Sequence, residues 1–218
     1  MNVLLVSAHP LADSYVAAVR SAAVTGLEAA GHVVDVVDLD AERFDPCLSR
    51  REWEARRGPA NPADWPNDVG AHAARLERAD ALVLVYPTWW GAQPAILSGW
   101  LDRVWRDGVA FTRRPGSRRA LPRLRNIRHL VAVTTHGSPK WVNAVEGEPG
   151  KRVVLRRLRS CCHPLVRTRW IALYGVDRSD DVQRQAFLGR VEREMAELER
   201  ITGARGRLRR AAGSRGRR

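Results

Sequence analysis

Leu82-Val-Leu-Val-Tyr-Pro-Thr-Trp-Trp-Gly-Ala-Gln-Pro-Ala-Ile-Leu-Ser-Gly-Trp-Leu-Asp-Arg-Val-Trp105 is the stretch on which the fold turns. Leu82 to Tyr86 is a short continuous apolar run, the pattern of a strand covered on both faces. Pro87 is expected to end it, because proline cannot donate to a central ladder. A helix is expected from Pro94, since a first-turn proline forfeits no hydrogen bond. Leu97, Trp100, Leu101, Val104 and Trp105 recur at helical spacing and form one apolar face. Between strand and helix lies Pro87-Thr88-Trp89-Trp90-Gly91-Ala92-Gln93, where two adjacent tryptophans on a tight loop are hard to bury together. Open α/β sheets bind ligands at the carboxyl ends of their strands. An aromatic wall, backbone groups and one glycine suit a flat ring with polar edges. The plainer alternative is a strand–loop–helix unit whose tryptophans only cover the sheet.

Upstream, Asn2 to Val6 reads as a first buried strand, followed by the polar loop Ser7-Ala8-His9-Pro10-Leu11-Ala12-Asp13. A helix is expected from Ser14 to Ala30, with Val16, Val19, Ala23, Leu27 and Ala30 inward and Gly31 at the left-handed cap. His32 to Leu39 is a second strand, and this β-loop-α-β opening implies a parallel pair with a right-handed crossover. The first loop has no glycine, so it is neither a dinucleotide turn nor a Walker loop. It still leads into a helix N-terminus, which favours anions. His9, Ser14 and the backbone near Tyr15 are therefore candidates to hold a phosphate; alternatively Asp13 or Ser14 only caps the helix. Asp40 to Asp68 is a long connection whose prolines exclude a long helix, and connections of that length commonly carry function. A short helix from about Asp68 to Arg78 leads into the central strand.

Downstream, Gly108 to Phe111 and an arginine-rich loop precede a fourth strand, His129 to Thr134. Thr135-His136-Gly137-Ser138-Pro139 again places small polar groups at a strand's carboxyl end. Lys151 to Cys162 reads as a helix with Val154, Leu155, Leu158 and Cys161 inward. Val166 to Tyr174 is a fifth strand whose Arg167 and Arg169 suit an edge. Ser179 is the expected cap of a last helix striped by Phe187, Val191, Met195, Leu198 and Ile201. The alternation predicts an α/β fold, a doubly wound five-stranded parallel sheet in the order 2-1-3-4-5. In that order the three polar loops, His9–Tyr15, Pro87–Gln93 and Thr134–Ser138, converge on one crevice.

The chain has 218 residues and a formal net charge of +13. The charge is uneven: Gly203–Arg218 holds seven arginines and no acid, leaving 13 − 7 = +6 for the rest. That segment is expected to be a disordered tail outside a domain spanning residues 1–202. Three cysteines fit a reduced cytoplasm, with Cys161-Cys162 too close for an unstrained bridge. No apolar run has transmembrane length and no signal peptide precedes the first strand, so a cytoplasmic protein without a membrane span is expected. Ligands as crowded as Cys161, Cys162 and His163 cannot share one ion, so no metal site is expected. A serine hydrolase would need a G-x-S-x-G elbow that is absent. The arginine tail and the Arg113–Arg128 loop raise nucleic-acid binding as a different class of function, but no recognition motif accompanies them and no specific nucleic acid is expected.

The three loops resemble the flavodoxin-like NAD(P)H:quinone oxidoreductases, the DT-diaphorase group, with its modulator-of-drug-activity and potassium-efflux ancillary relatives. The resemblance rests on Pro87 to Val104, His9 to Tyr15, Asp38-Leu39 through Phe44-Asp-Pro-Cys-Leu-Ser49, and Thr134 to Gly137. It implies a three-layer flavodoxin-like fold and a bound flavin, FAD first and FMN second. It implies that His9, Ser14 and Tyr15 hold the flavin phosphates. Pro87, Thr88, Trp89, Trp90 and Gly91 would flank the isoalloxazine, and Thr134, Thr135, His136 and Gly137 its pyrimidine edge. NAD(P)H and a quinone-like acceptor would alternate in ping-pong fashion, and a homodimer is implied. A regulatory subunit of a membrane transporter is the alternative the same group offers. Departures from the family pattern are Val16, where relatives carry asparagine, and His136, where many carry a small residue. The proton-relay tyrosine and histidine of mammalian members have no clear match beyond Ser138, so no catalytic acid is named.

Overall fold

The computed structural model describes residues 1–56, 60–113 and 120–198. In chain order its strands are β1 (Asn2–Ser7), β2 (Val33–Asp38), β3 (Ala81–Thr88), β4 (Phe111–Arg113), β5 (Ala120–Pro122), β6 (His129–His136) and β7 (Arg167–Tyr174). The α-helices are α1 (Tyr15–Ala29), α2 (Arg50–Ala55), α3 (Asn67–Arg78), α4 (Ala95–Val104), α5 (Lys140–Val145), α6 (Pro149–Arg152) and α7 (Asp181–Ala196). Five strands form one parallel sheet in the order β2-β1-β3-β6-β7. This is the expected 2-1-3-4-5 arrangement, with the antiparallel β4–β5 pair interposed in the chain.

Period-two alternation sorts the central strands between two cores. Val3, Leu5, Val83, Val85, Val131 and Val133 meet Val16, Val19 and Leu27 of α1 and Phe187, Val191 and Met195 of α7. Leu4, Val6, Leu82, Leu84 and Leu130 meet Leu76 of α3 and Leu97, Trp100 and Val104 of α4. With both faces covered, the strands read as unbroken apolar runs. Among the described residues no helix is long and apolar enough to cross a membrane.

Several boundaries differ from expectation. Pro87 does not end β3, which continues to Thr88 with Pro87 opposite Thr135. The Ala8 N–H donates to the Val85 carbonyl at 3.1 Å, so Val85 faces β1. Two residues later Pro87 faces the same side, where β1 has already ended at Ser7. Its missing N–H therefore leaves no gap in the ladder. β6 runs past Thr134 to His136, because β7 keeps pairing as far as Tyr174. Ala30 is exposed at the end of α1 instead of facing inward. The helix expected over Lys151–Cys162 is broken into α6, a π turn (Val153–Arg157) and a 3-10 turn (Leu158–Cys161). Val154, Leu158 and Cys162 nonetheless stay buried at intervals of four. Asp180, not Ser179, caps α7, accepting from Gln183 N–H in a capping box. Ile201 and the expected tail lie outside the described residues.

One buried cation ties the long connection to α4. Arg103 Nε lies 2.9 Å from Glu52 Oε1, and both side chains are 5% exposed. Its Nη1 reaches Asp68 Oδ2 at 2.7 Å and the Asp45 carbonyl at 2.6 Å, and its guanidinium lies 5.0 Å from the Phe44 ring centroid. Ser49 and Glu52 close the capping box of α2, so Glu52 is fixed from both sides.

Candidate functional site

Beyond Thr88 the chain makes a tight reversal. Trp89 N–H donates to the Ala92 carbonyl at 3.1 Å and Ala92 N–H returns to the Trp89 carbonyl at 3.0 Å. The two central residues, Trp90 and Gly91, have φ of +51° and +73°. Positive φ at both positions marks a turn of the type I′ class, which favours Gly at the second position. Trp90 is thereby held fully exposed, while Trp89 is about half exposed and tilts its ring toward His9 at 6.1 Å. Behind the turn, Gln93 Nε2 donates to the Gly150 carbonyl at 3.0 Å, and Gly150 N–H donates to the Gly91 carbonyl at 3.0 Å.

Below this rim lies an open crevice of about 1310 Å³ at the carboxyl ends of β1, β3, β6 and β7. His9 and Tyr15, Pro87 to Gly91, and Thr135 to Gly137 line it. Thus the three sequence-predicted loops do come together. Two of the singled-out residues stand apart. Ser14 caps α1, its Oγ accepting from Ala17 N–H at 3.2 Å, and does not line the crevice. Thr134 sits beneath the surface, 1% exposed, with Oγ1 2.8 Å from Thr88 Oγ1. The Tyr15 hydroxyl donates to the Arg184 carbonyl at 2.9 Å. Burial pushes that phenol up to about 12, against the opposing pull of Arg184.

Sequence reasoning missed the far wall, made by Asn143 and Pro149 after β6 and by Val176, Asp177, Arg178 and Arg184 after β7. A signal was present: Gly175-Val176-Asp177 follows the fifth strand as the other polar loops follow theirs. Gly137 touches this wall closely, since a Cβ there would fall 2.5 Å from Asp177 Oδ2.

The floor carries a hydrogen-bond chain. His136 is 4% exposed. Its Nδ1 lies 2.7 Å from Asn143 Oδ1 and its Nε2 lies 3.4 Å from Thr88 Oγ1. Asn143 Nδ2 donates to the carbonyls of Ser138 and Pro139 at 3.2 and 3.0 Å. Tyr174 stacks on the imidazole, ring centroids 4.5 Å apart and planes 21° apart. The Tyr174 hydroxyl donates to Glu148 Oε1 at 2.8 Å, and Lys151 Nζ holds Glu148 Oε2 at 2.7 Å. Burial pushes the Glu148 carboxyl up, but its hydrogen bonds from Lys151 and Tyr174 outweigh this and hold it below the usual carboxylate range. Among the described residues no cluster of three or more metal-ligating side chains exists.

Burial holds His136 below the ordinary histidine value of 6.5, against its hydrogen bond with Asn143, and does the same to His72 against the pull of Glu42. Both favour the neutral form in the fold and become easier to protonate on unfolding, so the unfolded chain binds more protons as the pH falls. Stability is then complete above the ordinary histidine range and declines as pH falls through it. The melting temperature should fall between about pH 8 and pH 5, and His72→Gln should remove part of that fall.

Comparison with known proteins agrees with this architecture. A family described by its flavodoxin-like fold matches residues 1–195. The NAD(P)H:quinone oxidoreductase of Methanothermobacter marburgensis is 31% identical, with a TM-score of 0.76, covering 91% of this chain and 97% of that one. The Smu.1420 protein of Streptococcus mutans is 27% identical, with a TM-score of 0.78, covering 90% of this chain and 100% of that one. NAD(P)H dehydrogenase (quinone) 1 of Cavia porcellus is 35% identical over 122 residues, 50% of this chain and 44% of that protein. The chain spans about half the length of the curated relatives it matches. Family model and near-complete structural overlap lead to one conclusion: the chain belongs to the flavodoxin-like family, among its NAD(P)H:quinone oxidoreductases.

Proposed function

We propose that the chain is a flavin-dependent NAD(P)H oxidoreductase that passes two electrons to a quinone-like acceptor by alternating the two substrates in one crevice. The convergence of four strand ends on a tryptophan-rimmed crevice carries this reading. The residues present fit a flavin. The first N–H groups of α1, at Tyr15 and Val16, have no acceptor within the helix, and both residues line the crevice with His9, which suits a phosphate there. Pro87 to Gly91 offer an aromatic and backbone wall for the ring, and Thr135 to Gly137 offer polar groups for its edge. The close packing of Gly137 on Asp177 leaves no side chain to fill that place. A bound flavin supplies the two-electron chemistry, and the protein supplies position and electrostatics. FAD is the first choice and FMN the second.

The flavin-binding domain is assigned to residues 1–202 and the protein to the cytoplasm. A homodimer would cover the exposed Trp141 and Val145. The purified chain should show flavin absorbance and oxidise NAD(P)H with a quinone as acceptor, and chromatography of the released cofactor should return FAD. A chain that stays colourless in excess FAD or FMN would overturn the reading. Trp90→Ala should weaken flavin binding by about 1–3 kcal/mol, the range for an aromatic partner of a nucleobase-like ring. The melting temperature of the flavin-free variant should not fall, because Trp90 is fully exposed and held at positive φ. Fluorescence titration with the free flavin checks the first expectation.

A further inference from the structure

The hydrogen bonds around His136 define its protonation without recourse to any ligand. Both Asn143 Nδ2 protons are committed to the carbonyls of Ser138 and Pro139, so Oδ1 is the atom facing the imidazole. Oδ1 can only accept, so His136 Nδ1 must carry a proton and donate across the 2.7 Å contact. In the neutral ring Nε2 is then a bare acceptor, aimed at Thr88 Oγ1. Thr88 Oγ1 lies 3.4 Å from Nε2 and 2.8 Å from Thr134 Oγ1, whose own proton goes to the Thr135 carbonyl at 3.4 Å. If Nε2 gains a proton, Nε2–H donates to Thr88 Oγ1, and the Thr88 proton can turn toward Thr134 Oγ1 or toward the crevice that this side chain lines. The imidazole is thus connected to the crevice through one hydroxyl.

The other groups packed on the ring leave it poised. Tyr174 from β7 presents its ring face, which favours a cation. Trp170, also from β7, lies 6.1 Å away. Glu148, before α6, favours the charged form, Lys151 on α6 opposes it, and burial opposes it most. Negative charge arriving in the crevice would tip this balance toward the imidazolium.

We propose that His136 is the proton store of this crevice: its Nε2 takes up the proton that accompanies two-electron reduction and passes it to the acceptor through the Thr88 hydroxyl. This rests on the oxidoreductase reading above. NAD(P)H yields two electrons and one proton as hydride, whereas a quinone needs two electrons and two protons to become a hydroquinone. The second proton comes from the medium onto Nε2. Delivery breaks the Nε2–H bond as a new O–H bond forms on Thr88. The original Thr88 O–H proton moves to the acceptor oxygen, and His136 returns to neutral.

The test uses the flavin-loaded protein labelled with 15N-histidine, observed by NMR at about pH 7.5 before and after anaerobic dithionite reduction. The expected result is an Nδ1–H neutral ring before reduction and a doubly protonated ring after it. In parallel, proton uptake on reduction is measured with an indicator dye. His136→Asn should take up fewer protons per electron pair than the wild type. Thr88→Val should keep the uptake at equilibrium yet slow acceptor reduction by about 10²-fold, the lower range for a lost proton-transfer group. An Nε2–H tautomer, an unchanged ring on reduction, or equal uptake in wild type and His136→Asn would overturn the proposal while flavin binding and NAD(P)H oxidation persist. Failure to bind flavin or oxidise NAD(P)H would instead remove the oxidoreductase reading, and this inference with it.

Discussion

Arg103→Ala is expected to destabilise the protein by about 3–5 kcal/mol, because it strands a buried carboxylate. Glu52 is 4% exposed and receives Arg103 Nε at 2.9 Å. Without the guanidinium, Glu52 must either stay charged in an apolar setting or take up a proton, and both are costly. The loss also frees the Asp45 carbonyl and Asp68, which hold the long connection to α4 through Arg103. For a chain of this size the melting temperature should drop by roughly 6–20 °C. Burial raises the Glu52 carboxyl, but Ser49 and Arg103 outweigh it and hold it below its ordinary range. A depressed carboxyl contributes stability above its unfolded pKa and loses it as pH falls through its folded pKa. The gap between wild type and Arg103→Ala should therefore narrow below the ordinary carboxylate range. Adding Glu52→Leu to Arg103→Met should recover most of the loss. A cost under about 1 kcal/mol, as for an exposed pair, would show that the connection is anchored elsewhere.

Trp100→Ala should cost about 3–5 kcal/mol through the cavity it leaves. The indole is fully buried against Leu82, Leu84 and Leu97, with His72 meeting it edge-on at 6.5 Å. Among the described residues its Nε1 has no hydrogen-bond acceptor, so the ring serves through volume and contact. Trp100→Phe keeps much of that volume and removes the unsatisfied donor, so it should cost far less than the alanine variant. Denaturant melts of the two variants provide the check. Equal losses would mean that the indole nitrogen has a partner, and that packing is not what the position supplies. Flavin affinity should change little in Trp100→Phe, in contrast to Trp90→Ala.

The sheet was legible because a strand covered on both faces must be apolar throughout, and Leu82 to Tyr86 and Leu130 to Val133 are. Its order followed from the absence of a dinucleotide turn after β1. The converging loops were legible for the same reason: each follows directly from a buried run. What escaped the sequence depends on neighbours. Pro87 stays in its strand only because β1 ends first, and Thr135 and His136 join β6 only because β7 extends alongside. The Asn143–His136 contact joins residues on α5 and β6, and α5 was not anticipated. Ser14 was a candidate for both capping and phosphate binding, and its Oγ accepts from Ala17 N–H as a cap does. The broken helix after Pro149 has no periodic trace, since its buried residues keep a spacing of four that an ordinary helix would also show.

The bond between the Tyr15 hydroxyl and the Arg184 carbonyl joins α1 to α7. Synthesis runs in one direction, so α1 emerges from the ribosome long before α7 exists. Until then Val16, Val19 and Ala23 have lost water on one side only, and the first wall of the crevice has no opposite number. A nascent chain in that state displays an apolar helix face and open strand edges, the features that invite aggregation and chaperone capture. A message cut short before α7 would therefore not yield a weaker enzyme with half a site. It would yield a sticky fragment whose removal falls to the cell's proteases.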